Sequence, residues 1–309
     1  HHGHLNHRRH THHARQPASR CLLCMGRPTR QTGGDVMKLV WQNPLTLIGF
    51  IIISSILCLA AVAPFIAPYD PNAIDVKAIL LAPSQLHLMG TDGLGRDVFS
   101  RMLYGARISL MVGFVAVGIA TLIGIVLGAI AGFYRGWVDT VIMRTVDVML
   151  SIPTFFLILA VIAFLSPSIW NIMIVIGLTS WMGVTRLIRA EFLSLRNREF
   201  VLAAQALGAK DFRLIFGHLL PNSLTPIIVS SILGIASAVL VESGLSFLGL
   251  GVQAPQASWG NILTDGKEYI QFAWWLSLFP GLAILLTVLG YNLLGDGLRD
   301  AYNPRSNQH

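Results

Sequence analysis

Charged residues are scarce in this sequence. Asp, Glu, Lys and Arg together make up 12% of its 309 residues, against roughly 25% in an ordinary soluble domain. Hydrophobic residues make up 54%, which predicts that lipid rather than water is the main solvent. The net charge of +7 does not indicate a nucleic-acid partner, because the basic residues are scattered between apolar runs instead of forming one stripe. We therefore expect a membrane protein with lipid, and no nucleic acid, around it.

Cysteines and catalytic motifs are equally sparse. Cys21, Cys24 and Cys58 form no disulfide framework, and the C-x-x-C at positions 21–24 lacks the second pair that a zinc site requires. The sequence contains no H-E-x-x-H, Walker A or G-x-S-x-G motif. We therefore expect no catalytic residue, no metal site and no resident cofactor, and the chain is predicted not to be an enzyme. If the protein does work that needs energy, the energy must come from a partner or from an ion gradient.

The first 36 residues differ in composition from the rest of the chain. They are rich in His, Arg, Thr and Gly, and seven of the ten histidines lie between His1 and His13. We interpret residues 1–36 as a tag or an N-terminal extension, since Met37 resembles a natural start residue and lies just before the first apolar run. Residues 37–309 are predicted to form the membrane domain.

Apolar runs long enough to cross a bilayer dominate that domain. A hydrocarbon core about 30 Å thick requires about 20 residues of helix, and six stretches meet or approach this length. They lie at residues 45–66, 108–132, 143–165, 169–185, 224–250 and 276–294. The predicted fold is therefore all-α, a polytopic membrane protein with about six transmembrane helices.

The distribution of basic residues predicts the orientation in the membrane. The connection after the fourth span carries the largest basic group outside the N-terminal extension: Arg186, Arg189, Arg196, Arg198, Lys210 and Arg213. Positive loops face the cytoplasm, so this connection and, with six spans, both termini are predicted to be cytoplasmic. The basic residues near the first external loop conflict in part with this assignment.

The segment 186–222 is the most informative loop, because it is too polar to span and too long for a simple turn. Residues 199–207 are predicted to form a short helix that Gly208 ends, and residues 211–220 a second helix that Pro221 stops. Two amphipathic helices around a glycine bend would form a compact knob projecting from the membrane. An ordinary solvated loop is the alternative.

This segment resembles the cytoplasmic loop motif of permease subunits in bacterial ATP-binding-cassette importers. The motif residues are Ala203, Ala204, Gly208, Leu220 and Pro221. The family usually begins the motif with Glu and has Ile two residues before the Leu, whereas this sequence has Leu202 and His218 there. The departure at Leu202 puts one polar contact to the ATPase in doubt.

Three further blocks, in the same order as in the dipeptide, oligopeptide and nickel branch of that family, extend the resemblance over the chain from Met37. They read GTDGLGRD at 90–97, ESGLSFLGLG at 242–251 and NLLGDGLRD at 292–300. Several blocks in order are more specific than any one of them. The chain is thus identified as similar to the C-type permease subunits of this branch, with a type I importer fold.

The resemblance implies a function and a set of partners. A second homologous permease would complete the pathway, two ATP-binding subunits would use ATP and Mg²⁺ on the cytoplasmic side, and an extracytoplasmic substrate-binding protein would deliver the cargo. The knob around Gly208 would dock on one of the ATP-binding subunits. The chain itself would lie in the cytoplasmic (inner) membrane of a bacterium. The expected cargo is a dipeptide or short oligopeptide.

Other functions stay open at this point. Nickel, glutathione and opine importers share the same blocks. An ion-coupled secondary transporter is a less favoured class, since it should have broken helices and several ionisable groups at the midplane, and a membrane-embedded enzyme lacks its catalytic constellation. Co-purification with an ATPase would distinguish the importer from both classes.

Three single residues are candidates for function outside the knob. Glu242 is an acid deep in the fifth apolar run, where such a residue is costly unless it is paired or faces water. We expect either a pathway or gating residue or a hydrogen-bonded helix contact. Arg96 and Asp97 lie in a Gly-rich external block that, by resemblance, is a possible docking site for the binding protein, and a plain surface turn is the alternative.

Two patterns within the spans predict packing. Gly124, Gly128 and Gly132 recur every four residues and so lie on one helix face, where another helix can approach closely. That helix belongs either to this chain or to a partner subunit. Arg144 and Asp147 are three residues apart and are predicted to pair on one face of the third span.

Overall fold

The computed structural model describes residues 43–302, so the predicted extension at 1–36 lies outside the described residues. Within residues 43–302 there is no β-strand, only a single bridge between Thr91 and Asp97. The predicted all-α polytopic fold is confirmed. The helices are α1 (Pro44–Ile66), α2 (Val98–Tyr134), α3 (Gly136–Ser151), α4 (Thr154–Ala163), α5 (Ile169–Leu178), α6 (Trp181–Leu195), α7 (Glu199–Ala206), α8 (Asp211–Leu214), α9 (Leu220–Asn222), α10 (Leu224–Phe247), α11 (Trp259–Glu268) and α12 (Trp275–Tyr302).

The N-terminal ends of the first two membrane helices are fixed by polar caps. The side chain of Asn43 accepts from the backbone N–H of Leu45 at the start of α1, with Pro44 in the first turn. At the start of α2, Asp97 accepts from the N–H of Ser100. The second span was predicted to begin at residue 108. Instead α2 has 37 residues and is therefore about 55 Å long, well beyond the hydrocarbon thickness.

The third and fourth spans are broken helices, which the hydropathy pattern did not predict. The run 143–165 consists of α3 and α4, which meet at an angle of 82°. The break falls at Ile152 and Pro153, where the proline cannot donate to the preceding turn. The run 169–185 is the start of a longer span, Ile169–Leu195, made of α5 and α6. The polar stretch from Arg186 to Leu195 is thus helix, and the predicted loop begins later.

Five helical segments of the described residues are long and apolar enough to cross a membrane, and the bent pair α3–α4 makes a sixth if it is one span. α3 begins at the end of the bundle where Asp139 pairs with Arg189 of α6, which we name the knob end. Ile158 of α4 lies in the other half of the bundle, in a buried cluster with Val112 of α2. The bent pair α3–α4 therefore carries the chain across, as α1, α2, α5–α6, α10 and α12 do. The opposite end, with segments 67–97 and 248–274, is named the loop end.

The glycine stripe of α2 packs against α6 of the same chain. A Cβ at Gly128 would lie 2.7 Å from the carbonyl oxygen of Thr185 and 2.7 Å from Cβ of Ile188. Gly124 and Gly132 face Val184 and Phe192 in the same way. The close approach of two backbones requires glycine at these positions. The partner helix of this stripe is therefore internal and does not belong to a second subunit.

Candidate functional sites at the two ends of the bundle

The knob consists of α7, α8, the turn Ile215–Leu219 and α9. Its first bend is a Schellman motif: Gly208 N–H donates to the carbonyl of Gln205 at 2.9 Å and Ala209 N–H to that of Ala204 at 3.0 Å. Gly208 has a φ of +80°, which an L-residue adopts only with strain. Its position after α7 agrees with the predicted role as a helix terminator.

The second half of the knob differs from the prediction. Pro221 does not stop the helix, since the helical course continues through α9 to Asn222. The turn before it, Ile215–Leu219, is a π-helix in which the N–H of Leu220 reaches back to the carbonyl of Ile215. This wide turn admits a proline, which lacks an N–H and would collide with a normal helical turn.

The knob has a buried underside and an exposed apolar surface. Val201, Leu214 and Leu219 lie in a core cluster with Phe133 of α2 and Phe192 of α6, and Ala204 and Leu220 pack on that cluster. The motif residues Ala203, Gly208 and Pro221 are exposed. The predicted coupling residues therefore divide into three that face outward and two that support the knob from below.

Sequence reasoning missed three large residues on the outer surface of the knob. Leu207 is 89% exposed and Phe212 72% exposed, and Phe216 is exposed as well. The rings of Phe212 and Phe216 pack against each other with centroids 4.5 Å apart and planes tilted by 36°. Bulky apolar side chains held in water favour a contact with another protein. Their spacing of four residues in a charged segment was the signal that could have identified them.

Arginines of α6 and its C-cap join the helix that leads into the knob to α2 and α3. Arg196 donates to the carbonyl of Phe133, and its guanidinium carbon lies 5.4 Å from the centroid of that ring. Arg189 pairs with Asp139 of α3, with Nη2 2.6 Å from Oδ2. The helix that precedes the knob is thereby tied to both α2 and α3.

The predicted pair of Arg144 and Asp147 is wrong. Oδ1 of Asp147 accepts from Nη2 of Arg186 at 2.5 Å, so the partner is on α6 and not one turn away on the same helix. Both partners are about half exposed, and a pair in such a position contributes about 1 kcal/mol or less.

A cluster of four charged side chains joins the two segments of the loop end. The carboxylates of Asp92 and Asp265 both accept from Arg96, at 2.6 Å and 3.1 Å, and both lie near Arg101, at 3.5 Å and 3.4 Å. Arg101 is only 2% exposed. Burial raises the pKa of Asp265, while Arg101 and Arg96 act to lower it. Two positive and two negative groups thus tie the start of α2 to α11.

Asp97 is also buried. One carboxylate oxygen accepts from the N–H and the hydroxyl of Ser100, both at 2.8 Å, and the other lies 2.9 Å from Nδ1 of His87. Arg96 and Asp97 are therefore both buried, and the alternative of a plain surface turn is wrong because their side chains bond to Asp92, Asp265 and Ser100. Their burial favours a structural role, and a docking function stays a prediction.

Glu242 lies inside the bundle near the loop end and is 0% exposed. Its two carboxylate oxygens accept from Ser109 of α2 at 3.2 Å and from Ser246 at 2.7 Å. Each hydroxyl in turn accepts a backbone N–H, from Trp259 at 3.3 Å and from Val252 at 3.1 Å. This arrangement matches the expected hydrogen-bonded helix contact, and the gating role stays a prediction.

Replacing Glu242 by Gln tests that role. Both serine hydroxyls donate their proton to the carboxylate. In the Gln variant an NH₂ group would face one of these hydroxyls, so that two donors would meet. We expect the midpoint of thermal unfolding to fall, with a loss of about 1–3 kcal/mol for the unsatisfied pair, and proteolysis of segment 248–259 to accelerate. Unchanged stability together with lost uptake would instead favour the gating role.

Comparison with known proteins gives the class of this chain. Residues 124–308 match the binding-protein-dependent transport system inner membrane component family, and residues 33–83 match the N-terminal transmembrane domain of oligopeptide transport permease C. The chain belongs to this family of ATP-binding-cassette importer permeases. The predicted membership is confirmed.

Individual relatives are dipeptide permeases by name. The chain is 46% identical over 271 residues to the dipeptide transport system permease protein DppC of Alkalihalophilus pseudofirmus, covering 88% of this chain and 89% of that one. It is 44% identical over 283 residues to the probable D,D-dipeptide transport system permease protein DdpC of Escherichia coli, covering 91% and 95%. The MetNI methionine ABC transporter in an inward-facing conformation shares the fold, with a TM-score of 0.54 at 17% identity over 64% of this chain and 95% of that one.

Proposed function

We propose that the chain is the membrane-spanning subunit of an ATP-driven importer that carries dipeptides or short oligopeptides across the bacterial cytoplasmic membrane. The observation that carries the proposal is the identity of 40–46% with three relatives named as dipeptide permeases, each over most of the chain. A set of six crossings suits a pathway built with a second, related permease.

The knob is the part that receives energy in this proposal. Leu207, Phe212 and Phe216 would enter an apolar groove of an ATP-binding subunit, with Ala203 and Gly208 permitting close approach. Leu202, which is exposed, would add an apolar contact where the family usually has Glu. ATP and Mg²⁺ are used by two such partner subunits, and the arginine anchors of α6 pass the motion to the spans as a rigid-body rotation.

The orientation follows from the charges. Arg198, Lys210 and Arg213 of the knob end are all exposed, and such basic groups favour the cytoplasmic side. Both termini then lie in the cytoplasm, and the loop end faces the extracytoplasmic binding protein. The buried charges of the loop end do not oppose this orientation, because Arg96 and Arg101 are paired with Asp92 and Asp265.

Reconstitution tests the proposal. Proteoliposomes with the partner permease, the ATP-binding subunits and the binding protein should take up a labelled dipeptide only when ATP is present. Uptake of nickel or glutathione in place of peptide would change the cargo and keep the machine. Uptake driven by a proton or sodium gradient without ATP would contradict the proposal.

A further inference from the structure

A cavity of about 310 Å³ opens at the loop end. It lies between Asn72 of the first connecting segment, the outer end of α2 and Gln256 of the last one. Tyr104, Arg107 and Met111 of α2 line it together, since residues three and four apart share a helix face. Small-molecule sites in proteins have volumes of about 300–1,000 Å³, so the cavity has the size of a site for a small ligand.

The cavity contains one positive charge, that of Arg107, which no acidic side chain of the described residues neutralises. Arg96 and Arg101, the neighbouring arginines of the loop end, are neutralised by Asp92 and Asp265. Arg107 is exposed, and the ion pairs of the described residues do not include it. Its guanidinium lies 6.0 Å from the centroid of the Tyr104 ring. The cavity therefore presents a guanidinium fork held beside an aromatic face, with no acidic side chain lining it.

The other groups of the cavity are matched to an amide. Asn72 and Gln256 each carry a donor and an acceptor, and Ile108 and Met111 offer apolar contact. Methionine adapts its shape to different neighbours. A ligand that suits this set has a carboxylate, a peptide bond and a side chain of variable size.

We propose that this cavity binds the carboxylate end of a short peptide as it enters the permease, with Arg107 as the carboxylate receptor. The inference rests on the proposed peptide function and adds a binding site on this chain to it. A guanidinium can hold a carboxylate with two parallel hydrogen bonds, which gives orientation as well as affinity. Asn72 and Gln256 then pair with the peptide bond.

Peptide binding to the transporter without its binding protein tests the assignment. The complex of this chain with its partner permease and ATP-binding subunits is placed in nanodiscs, and alanyl-alanine and its C-terminal amide are compared by saturation-transfer NMR. We expect the amide to bind about tenfold more weakly than the free acid, the loss of one charge-assisted contact. Arg107→Ala should weaken binding of the free acid by a similar factor and remove the difference between the two probes.

Two further variants complete the test. Lys77→Ala removes an exposed cation of the same loop end that does not line the cavity, and it should leave binding unchanged. Arg107→Lys keeps the charge without the fork, and it should restore only part of the affinity. Because Arg107 is exposed and its guanidinium lies beside the Tyr104 ring, the variants are expected to fold, and unchanged midpoints of thermal unfolding check this.

Equal binding of acid and amide by the wild-type complex would overturn the inference. The inference would also be overturned if the Arg107→Ala variant bound peptide normally but no longer associated with the binding protein. The cavity would then be a docking surface. The complete system distinguishes the two levels of the argument. ATP-driven peptide uptake with binding indifferent to Arg107 refutes only this inference, whereas no peptide uptake at all refutes the proposed function.

Discussion

Replacing Gly208 by proline is expected to abolish ATP-driven peptide uptake while the chain still inserts in the membrane. Gly208 has a φ of +80° and donates its N–H to Gln205, and proline can supply neither. The proline ring fixes φ at about −65°, so the native bend cannot form at this position, and the lost hydrogen bond costs about 1 kcal/mol more. Uptake in proteoliposomes and insertion by protease accessibility are the two measurements.

Gly217→Ala is the matched control for this variant. Gly217 lies in the same knob within a helical turn, is exposed, and a Cβ there would meet only Cγ of Arg213 at 3.8 Å. Uptake by this variant should equal that of the wild type. Full uptake by the proline variant would refute a role of the bend in coupling, and failure of both variants to insert would mean that the knob is needed for folding instead.

Replacing Gly128 by valine is expected to have the largest effect on stability. Its Cβ would lie 2.7 Å from the backbone of Thr185 and 2.7 Å from Cβ of Ile188, so α2 and α6 would have to separate. Overpacking of this kind costs about 3 kcal/mol. Because α6 leads directly into the knob, we expect a lower midpoint of thermal unfolding in detergent and reduced uptake at the growth temperature.

Gly118 offers the comparison on the same helix. A Cβ at Gly118 would meet nothing within 4 Å, and alanine favours a helix over glycine by about 1 kcal/mol. Gly118→Ala should therefore leave the unfolding midpoint unchanged or raise it. Equal midpoints for the Gly128→Val and wild-type proteins would show that the α2–α6 contact contributes little.

The number of spans and the place of the knob could be predicted because both depend on local composition. Apolar runs and a basic, glycine-punctuated loop are visible within twenty or thirty residues of sequence. The bend between α3 and α4 was not predicted, since a hydropathy average that includes Pro153 contains no information on the direction of the helix axis. The early start of α2 was missed as well, because Arg101 and Arg107 lowered the apolarity of its first turns.

Long-range partners explain the remaining errors. Arg96 is buried through Asp265, which is 169 residues away, and Asp147 pairs with Arg186 across 39 residues. No local pattern identifies such partners. The glycine stripe illustrates the same limit, because its period predicts a close neighbour while only the fold shows that the neighbour is α6. The exposed surface of Phe212 and Phe216 depends in turn on which side of the knob faces the bundle.

The length of α2 has a mechanical consequence. One unbroken helix of 37 residues runs from the charge cluster around Arg101 to Phe133, which holds Arg196 beneath the knob. A helix about 55 Å long that tilts by about 5° around its midpoint moves its two ends by about 2 Å in opposite directions. A rigid tilt of α2 would therefore move the knob end and the loop end together, with no intervening flexible segment.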